Sequence, residues 1–281
     1  MSIRALGLAA ALLLTSSFAA PAQAQTVPPP LVVYSAGSMT GALGAMLKRY
    51  TAETGEKVEL QTGPAGLLLD KIEAGEAADV FVSANMAHPQ RLTAEHKATA
   101  TVVFARNRIC VAARPELGLT SANLLDKLLD PKTRIGTSTP KADPGGDYAW
   151  ALFDKAGTVR SGAAERLKAK ALQVVGGKME PAHAGGAPQT ALDSLNHYQV
   201  DVMIGYCSSH SATPDPSVAH VQLPPDLAIP VDYGMTVLTG SRDPSRREAA
   251  DQLALYLMSP EAQAMMTPYG FIPVAAAAAN P

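Results

Sequence analysis

The hydrophobic pattern near the start of the chain predicts a buried strand followed by an amphipathic helix. The strand is the apolar run 31–34, LVVY, and small residues follow it as far as Ser38. Apolar residues then recur three and one positions apart between Met39 and Tyr50, as they do on one face of a helix. Ser38 stands where the N-cap of that helix is expected. Small residues therefore separate the carboxyl end of a strand from the amino end of a helix.

The same order of strand, small polar residues and helix is repeated along the chain. Further strands are predicted at 58–61, 79–83, 101–104, 109–113, 133–140, 200–209 and 229–240. Helices are predicted at 67–74, 123–130, 142–157 and 187–199, with two more in 245–271. This alternation is typical of a parallel sheet with helices on its faces, where ligands bind beyond the carboxyl ends of the strands. Four such strand ends indicate an α/β fold with a composite ligand site, and free helix N–H groups would favour an anion there. Any one of these turns, taken alone, could instead be an ordinary βα turn that contributes to no ligand site.

The first 24 residues are typical of a secretory signal peptide. Arg4 supplies a positive charge, an apolar stretch follows at 6–14, and Ala22-Gln23-Ala24 matches a cleavage site. A mature chain beginning at Gln25 would be secreted or periplasmic. The formal net charge of the full chain is −2, and no basic run occurs, so we expect no nucleic-acid partner.

Two cysteines, Cys110 and Cys207, would both reach an oxidising compartment. They could form one disulfide, or they could remain two buried free thiols, because the sequence does not show whether they lie within reach of each other.

Enzymatic activity is not expected from the motifs. A secreted serine hydrolase would need a nucleophile, a base and an oxyanion hole, and the sequence contains neither a G-x-S-x-G motif nor an H-E-x-x-H motif. Four residues of neighbouring loops, Asp143, Asp147, Glu180 and His183, could instead hold a metal ion, a metal chelate or a cationic organic molecule. Alternatively, these four side chains are charged or polar loop residues that are exposed to solvent and bind nothing.

Four segments follow one another along the chain: VYSAGSMT, IEAGEAADVFVSAN, IGYCSS and YLMSPEAQAMMTPYGF. In this order they resemble the periplasmic molybdate-binding proteins, which are the substrate-binding components of ABC importers. The resemblance implies a type II-like fold of two α/β lobes with a ligand cleft between them. The first lobe would comprise 25–105 and 230–281, and the second 106–229. It also implies a periplasmic monomer that binds molybdate or tungstate without a further cofactor and delivers it to a membrane permease with a cytoplasmic ATPase.

The resemblance further implies that neutral hydroxyl and N–H groups hold the oxyanion, without a cation. Ser38 and Tyr206 would donate hydroxyls from opposite lobes, although Tyr206 could instead be a tyrosine packed on the hinge. Two positions depart from the family pattern: Ala65 replaces a serine, and Asp143 stands at a position that is usually apolar. The alternative role of Asp143 is to cap the helix that begins at Pro144. The predicted ligand site consists of Ala36, Gly37, Ser38, Ala65, Ala84, Asp143 and Tyr206.

Overall fold

A computed structural model describes residues 28–177, 191–208 and 216–275 of the chain. The strands in these residues are β1 (Leu31–Ala36), β2 (Val58–Gly63), β3 (Val80–Ser83), β4 (Val102–Ala113), β5 (Ile135–Ser138), β6 (Leu172–Val175), β7 (Val202–Tyr206), β8 (Ala219–Gln222), β9 (Pro230–Val237) and β10 (Ile272–Pro273). The helices are α1 (Thr40–Thr54), α2 (Ala65–Glu73), α3 (Ala87–Ala94), α4 (Leu124–Leu129), α5 (Pro144–Val159), α6 (Ala163–Lys170), α7 (Ala191–His197), α8 (Pro244–Leu257) and α9 (Pro260–Ala264). The predicted signal peptide, 1–24, lies outside the described residues.

The strands are hydrogen-bonded in the order β2-β1-β3-β9-β4-β7-β5-β6, and β8 and β10 also pair with β4. Pairing is parallel among β2, β1 and β3, and again among β6, β5 and β7. The long strands β4 and β9 are antiparallel to their neighbours in this order. The predicted α/β class with parallel βα units is therefore confirmed.

One strand, β4, passes through both parts of the sheet. Its residues 102–108 pair with β9, and its residues 109–113 pair with β7. We call the part built on β2, β1, β3 and β9 the first lobe and the part built on β7, β5 and β6 the second lobe. The sequence predicted two strands here, at 101–104 and 109–113, and this was wrong because the polar segment between them continues the same strand from one lobe into the other. The numerical lobe boundaries given above remain a prediction.

The helix predicted after β1 is present, but its start differs from the prediction. The apolar residues face the core as the spacing indicated: Met39 is buried in the turn before α1, and the buried residues of α1 are Ala42, Leu43, Met46, Leu47 and Tyr50. Ser38 is not the N-cap, because a 3-10 turn at Gly37–Met39 comes between the strand and the helix. Its hydroxyl is hydrogen-bonded to the phenol of Tyr233 instead, so a contact with a distant strand takes the place of the local cap.

The two cysteines form a disulfide, Cys110–Cys207, which joins β4 to the residue after β7. Of the two alternatives left by the sequence, the disulfide is therefore the one found. The bond lies immediately after Tyr206, the last residue of β7, so it fixes the end of that strand to the strand that both lobes share.

A buried ion pair fixes the start of α8 to the sheet of the first lobe. The guanidinium of Arg246 donates two hydrogen bonds of 2.7 Å to the carboxylate of Asp79, and the backbone N–H of Val32 donates a third of 2.7 Å. The Asp79 side chain is 5% exposed. A carboxylate this deeply buried needs such partners, because an unpaired buried charge is strongly unfavourable.

Candidate ligand-binding site

Hydroxyl groups from the two lobes meet beyond the ends of β1 and β7. Ser38 follows β1, and its hydroxyl lies 2.8 Å from the phenol oxygen of Tyr233 on β9. The ring of Tyr206, at the end of β7, packs against the ring of Tyr233 with centroids 5.7 Å apart. The predicted donors Ser38 and Tyr206 are thus connected through Tyr233, a residue that the sequence did not single out.

Tyr233 is fully buried and links three polar groups. Besides its bond to Ser38, its oxygen accepts a hydrogen bond of 3.5 Å from the side-chain amide of Asn107, which also donates to the hydroxyl of Ser208 at 2.9 Å. Burial raises the pKa of Tyr233 well above its ordinary value, although the Ser38 and Asn107 bonds act in the opposite direction. Tyr233 is therefore a neutral phenol that can accept from Asn107 and donate to Ser38, which leaves the Ser38 proton free to point elsewhere.

The phenol oxygen of Tyr206 is buried and has no hydrogen-bond partner within the described part of the chain. Burial raises its pKa well above the ordinary value, so the group is a neutral O–H donor. Its ring also packs edge-on against Tyr148, with centroids 6.2 Å apart. Buried hydroxyls in folded proteins are nearly always paired, and an exception calls for an explanation. An oxygen atom of a bound solute would supply the partner.

The amino end of α2 meets the second lobe directly. Ala65 is the first residue of α2 and is buried, and the N–H of Leu67 donates to the carbonyl of Ala142 at 3.2 Å. A side chain at Gly66 would overlap the Lys141 carbonyl oxygen, so glycine permits this close approach. The first N–H groups of a helix have no partner within the helix, and residues of the opposite lobe supply partners here.

Asp143 faces this helix end from the second lobe. It occupies the N-cap position of α5 before Pro144, as the sequence indicated, and no hydrogen bond to its side chain has regular cap geometry. The N–H of Gly145, in the first turn of α5, nevertheless favours the charged form of its carboxylate. Its carboxylate thus faces the first turn of its own helix, as a cap does, and it also faces the Ala65 N–H of the other lobe. The residue takes the cap backbone conformation, while its carboxylate lies among groups of both lobes.

The pKa of Asp143 is raised to about 6, mainly by burial, and the nearby charge of Asp147 acts in the same direction. The hydroxyl of Ser138 and the N–H groups of Gly145 and Ala65 lower it, because they favour the charged form. Asp147, another carboxylate, is the charged side chain with the largest effect on this pKa. Asp143 is a half-buried acceptor with a pKa of about 6, and it lies among donors.

Ala84 lies immediately after β3 and is buried. Its carbonyl accepts a 2.9 Å hydrogen bond from the phenol of Tyr148, which lies on α5 in the second lobe. Burial raises the pKa of Tyr148 to about 12, so this phenol is a neutral donor. The predicted site residue Ala84 therefore lies at the interface of the lobes.

The structure brings the seven predicted residues to one region at the strand ends. Ala36 ends β1, and Gly37 lies against Gly63 at the end of β2. That these residues bind a ligand stays a prediction. Sequence reasoning missed four polar residues of the same region, Asn107, Ser138, Tyr148 and Tyr233. Ser138 is the last residue of β5. Small polar residues at a strand end were the signal that identified Ser38, and the same signal could have identified Ser138.

The four residues considered as metal ligands are only partly described. Asp143 and Asp147 lie near the start of α5, and Glu180 and His183 fall outside the described residues. Within the ranges that the structure covers, no three His, Cys, Asp or Glu residues are grouped closely enough to hold a metal ion. No helix in these ranges has both the length and the apolar character needed to cross a bilayer.

A family model described as "Bacterial extracellular solute-binding protein" matches residues 31–272. The curated "Uncharacterized protein PM1146" of Pasteurella multocida (strain Pm70) is 35% identical to this chain over 198 residues, which are 69% of this chain and 80% of that protein.

Two solved structures show the same fold at low sequence identity. The Azotobacter vinelandii periplasmic molybdate-binding protein has a TM-score of 0.69 at 18% identity, with 86% of this chain and 98% of that chain covered. The sulfate-binding protein SubI of Mycobacterium tuberculosis H37Rv has a TM-score of 0.67 at 18% identity, with 87% of each chain covered. These two proteins are named for different solutes, so the likeness shows the fold alone. The chain belongs to the bacterial extracellular solute-binding proteins and has their two-lobe α/β fold.

Proposed function

We propose that this protein is the periplasmic solute-binding component of an ABC importer and is not an enzyme. It captures a small tetrahedral oxyanion between its lobes, with molybdate or tungstate as the first candidates, and delivers it to a membrane permease coupled to a cytoplasmic ATPase. The buried, unpartnered phenol of Tyr206 carries this proposal, because it is a donor that a solute between the lobes would satisfy.

The other donors of the site support an oxyanion. Asn107 donates to Tyr233, which can donate to Ser38, so the proton of Ser38 is available to a solute oxygen. Ser38 and Tyr206 belong to opposite lobes, and an anion held by both would stabilise the closed arrangement. Hydrogen bonds to a charged group contribute about 1.5–3 kcal/mol each, so two or three neutral donors suffice for tight binding.

A second candidate cargo is a metal ion, a metal chelate or a small organic cation, delivered by the same route. The half-buried carboxylate of Asp143 favours this candidate, because the charged side chain with the largest effect on it is another carboxylate, Asp147. A positively charged solute would remove the penalty of burying that carboxylate.

A ligand panel separates the two candidates. The mature protein is unfolded and refolded to remove carried solute, and its thermal unfolding is measured with molybdate, tungstate, sulfate and divalent metal ions. If an oxyanion is the cargo, saturation at about 100 times its dissociation constant adds about 2.7 kcal/mol of stability. A shift with a divalent metal and none with any oxyanion would reject the first candidate in favour of the second.

A further inference from the structure

We propose that Asn107 is a positioning residue that fixes the direction of the hydrogen bonds in the ligand site, so that a hydroxyl proton of Ser38, and not a lone pair, faces the solute. This inference rests on the proposed function, because it explains how the same site selects a solute that accepts hydrogen bonds. It assigns that selection to a side chain that acts through Tyr233 and Ser38.

Asn107 lies where β4 crosses from the first lobe to the second. It is near the end of the part of β4 that pairs with β9, and the part that pairs with β7 begins two residues later. Its neighbours Arg106 and Arg108 are exposed, whereas Asn107 is 3% exposed. A buried amide needs hydrogen-bond partners, and Asn107 takes them from both sides of this crossing.

The orientation of the Asn107 amide follows from its contact with the backbone. The N–H of Arg108 donates a 2.8 Å hydrogen bond to one side-chain atom of Asn107. A backbone N–H can only donate, so that atom is the amide oxygen. The amide nitrogen is then the atom that lies 2.9 Å from the hydroxyl of Ser208, after β7, and 3.5 Å from the phenol oxygen of Tyr233, on β9.

This orientation determines which way the protons of the neighbouring hydroxyls point. An amide nitrogen carries two protons and does not accept, so Ser208 and Tyr233 are both acceptors toward Asn107. Even at 3.5 Å, a phenol proton of Tyr233 directed at this nitrogen would meet the amide protons. The single phenol proton is therefore donated to Ser38, whose oxygen lies 2.8 Å away. The Ser38 proton is left for the solute.

The direction of this chain decides which solutes the site accepts. A fully ionised oxyanion offers lone pairs to Ser38 and completes the chain from Asn107 through Tyr233. A solute that offers an N–H or O–H group to Ser38 would place one proton against another. Hydrogen bonds in a chain also polarise each other in the same direction, so the donor at Ser38 is stronger because Asn107 stands at the other end.

Asn107→Asp reverses the chain with little change of shape. A carboxylate can only accept, so the N–H of Arg108 donates to it as before, and the hydroxyls of Ser208 and Tyr233 rotate to donate to it. Tyr233 then has no proton for Ser38. The Ser38 proton turns toward Tyr233, and a lone pair faces the solute.

Calorimetric titration of the refolded mature protein with molybdate and with tungstate measures the effect. We expect Asn107→Asp to weaken binding about 100-fold, because a hydrogen bond to the anion is lost and a lone pair replaces it. Asn123→Asp is the control for net charge, since the Asn123 side chain bonds only to Thr120 and Gly118 in the turn before α4. Its affinity should stay within about twofold of the parent protein.

A double-mutant cycle separates direction from charge. In Tyr233→Phe the chain is interrupted, so adding Asn107→Asp should weaken binding less than about tenfold if the carboxylate acts through Tyr233. A loss of about 100-fold in both backgrounds would show that the carboxylate simply repels the anion, and the directional role of Asn107 would be overturned.

Neutron diffraction from deuterated crystals of the parent protein tests the direction without any variant. We expect the deuterium between Ser38 and Tyr233 to be bound to the Tyr233 oxygen. A deuterium bound to Ser38 in that contact overturns the inference, even where Asn107→Asp does not fold.

The outcomes separate this inference from the proposed function. Equal oxyanion affinity in the parent protein and in Asn107→Asp overturns the role of Asn107 and leaves the function standing. Failure of molybdate, tungstate and sulfate to bind the folded, ligand-free parent protein overturns the proposed function, and with it the selection assigned to Asn107.

Discussion

The phenol of Tyr148 donates a 2.9 Å hydrogen bond to the carbonyl of Ala84, and this bond joins the two lobes. Tyr148 lies on α5 in the second lobe, and Ala84 follows β3 in the first. A second bond of 3.2 Å, from the N–H of Leu67 to the carbonyl of Ala142, crosses the same interface. These two hydrogen bonds between protein atoms therefore hold the lobes in contact, in addition to any solute that bridges the lobes.

The first prediction tests this bond. Tyr148→Phe keeps the ring that packs on Tyr206 but removes the O–H donor, so the closed arrangement loses about 0.5–1.5 kcal/mol. Solute affinity measured by calorimetry should fall about two- to tenfold, and small-angle scattering should show a more open ligand-free protein. Tyr256→Phe is the matched control, because the Tyr256 phenol on α8 has no partner in the described residues. Equal affinities in the two variants would exclude a role for the Tyr148 bond in closure.

The second prediction separates binding from stability at Tyr206. Tyr206→Phe removes a buried hydroxyl without a protein partner, so the ligand-free protein should be as stable as the parent or more stable. Solute affinity should fall by about 1.5–3 kcal/mol, or roughly ten- to 150-fold.

Tyr233→Phe is the comparison for this variant, because it removes bonds to Ser38 and Asn107. Its ligand-free stability in urea should fall by about 1 kcal/mol or more. If Tyr206→Phe were the less stable of the two, the Tyr206 phenol would have a structural role, and the site assignment would lose its main support.

Much of the fold could be predicted because the signals are local. The apolar face of α1 and the proline at the start of α5 depend on residues within a few positions of each other. The continuity of β4 could not be predicted in this way, since its polar middle, Arg106-Asn107-Arg108, pairs with β9 more than 120 residues later. Local polarity predicts a loop there, and only long-range pairing reveals a strand.

The site shows the same limit. Ser38 and Tyr206 end predicted strands, and that position identified them. Tyr233 lies in the interior of β9 and reaches the site because β9 is antiparallel to both β3 and β4, and no feature of its local sequence shows this. For Asp143, the local signal indicated a cap, but it did not show that the carboxylate also faces the Ala65 N–H of the other lobe.

The third prediction concerns the buried ion pair of the first lobe. Arg246→Met leaves the Asp79 carboxylate, which is 5% exposed, without its cation. Breaking a buried pair in this way costs about 3–5 kcal/mol, so the urea midpoint should fall sharply while solute affinity stays unchanged. Arg247→Met, at the exposed neighbouring position, should change stability by less than about 0.5 kcal/mol. Similar small losses in both variants would show that the Asp79 carboxylate is adequately solvated without Arg246.

The fourth prediction concerns the disulfide, which closes a loop of 97 residues between β4 and the end of β7. Replacing both Cys110 and Cys207 with alanine should lower the free energy of unfolding by about 2–5 kcal/mol. A reducing agent should destabilise the parent protein by a similar amount and leave the double variant unaffected. A parent protein that is insensitive to reductant, with both thiols shown to be free, would contradict the bond.

The last prediction is the pH dependence of stability that Asp143 gives the ligand-free protein. Its ordinary pKa is 3.8, and in the folded protein burial raises the pKa to about 6. Between these values the folded state binds the proton more tightly than the unfolded state does, so the free energy of unfolding falls as the pH rises from about 4 to about 6 and is level above that.

A shift of about two pKa units corresponds to about 3 kcal/mol. Asp143→Asn removes this titration. The difference in free energy of unfolding, variant minus parent, should therefore increase by up to ~3 kcal/mol between about pH 4 and about pH 6, and it should remain constant from there to pH 8. Subtracting the two urea denaturation series, measured at each pH on ligand-free protein, cancels every group that the proteins share. A difference that does not change between pH 4 and 8 would mean that Asp143 ionises as it does in the unfolded chain, and its carboxylate would then be solvated and not buried between the lobes.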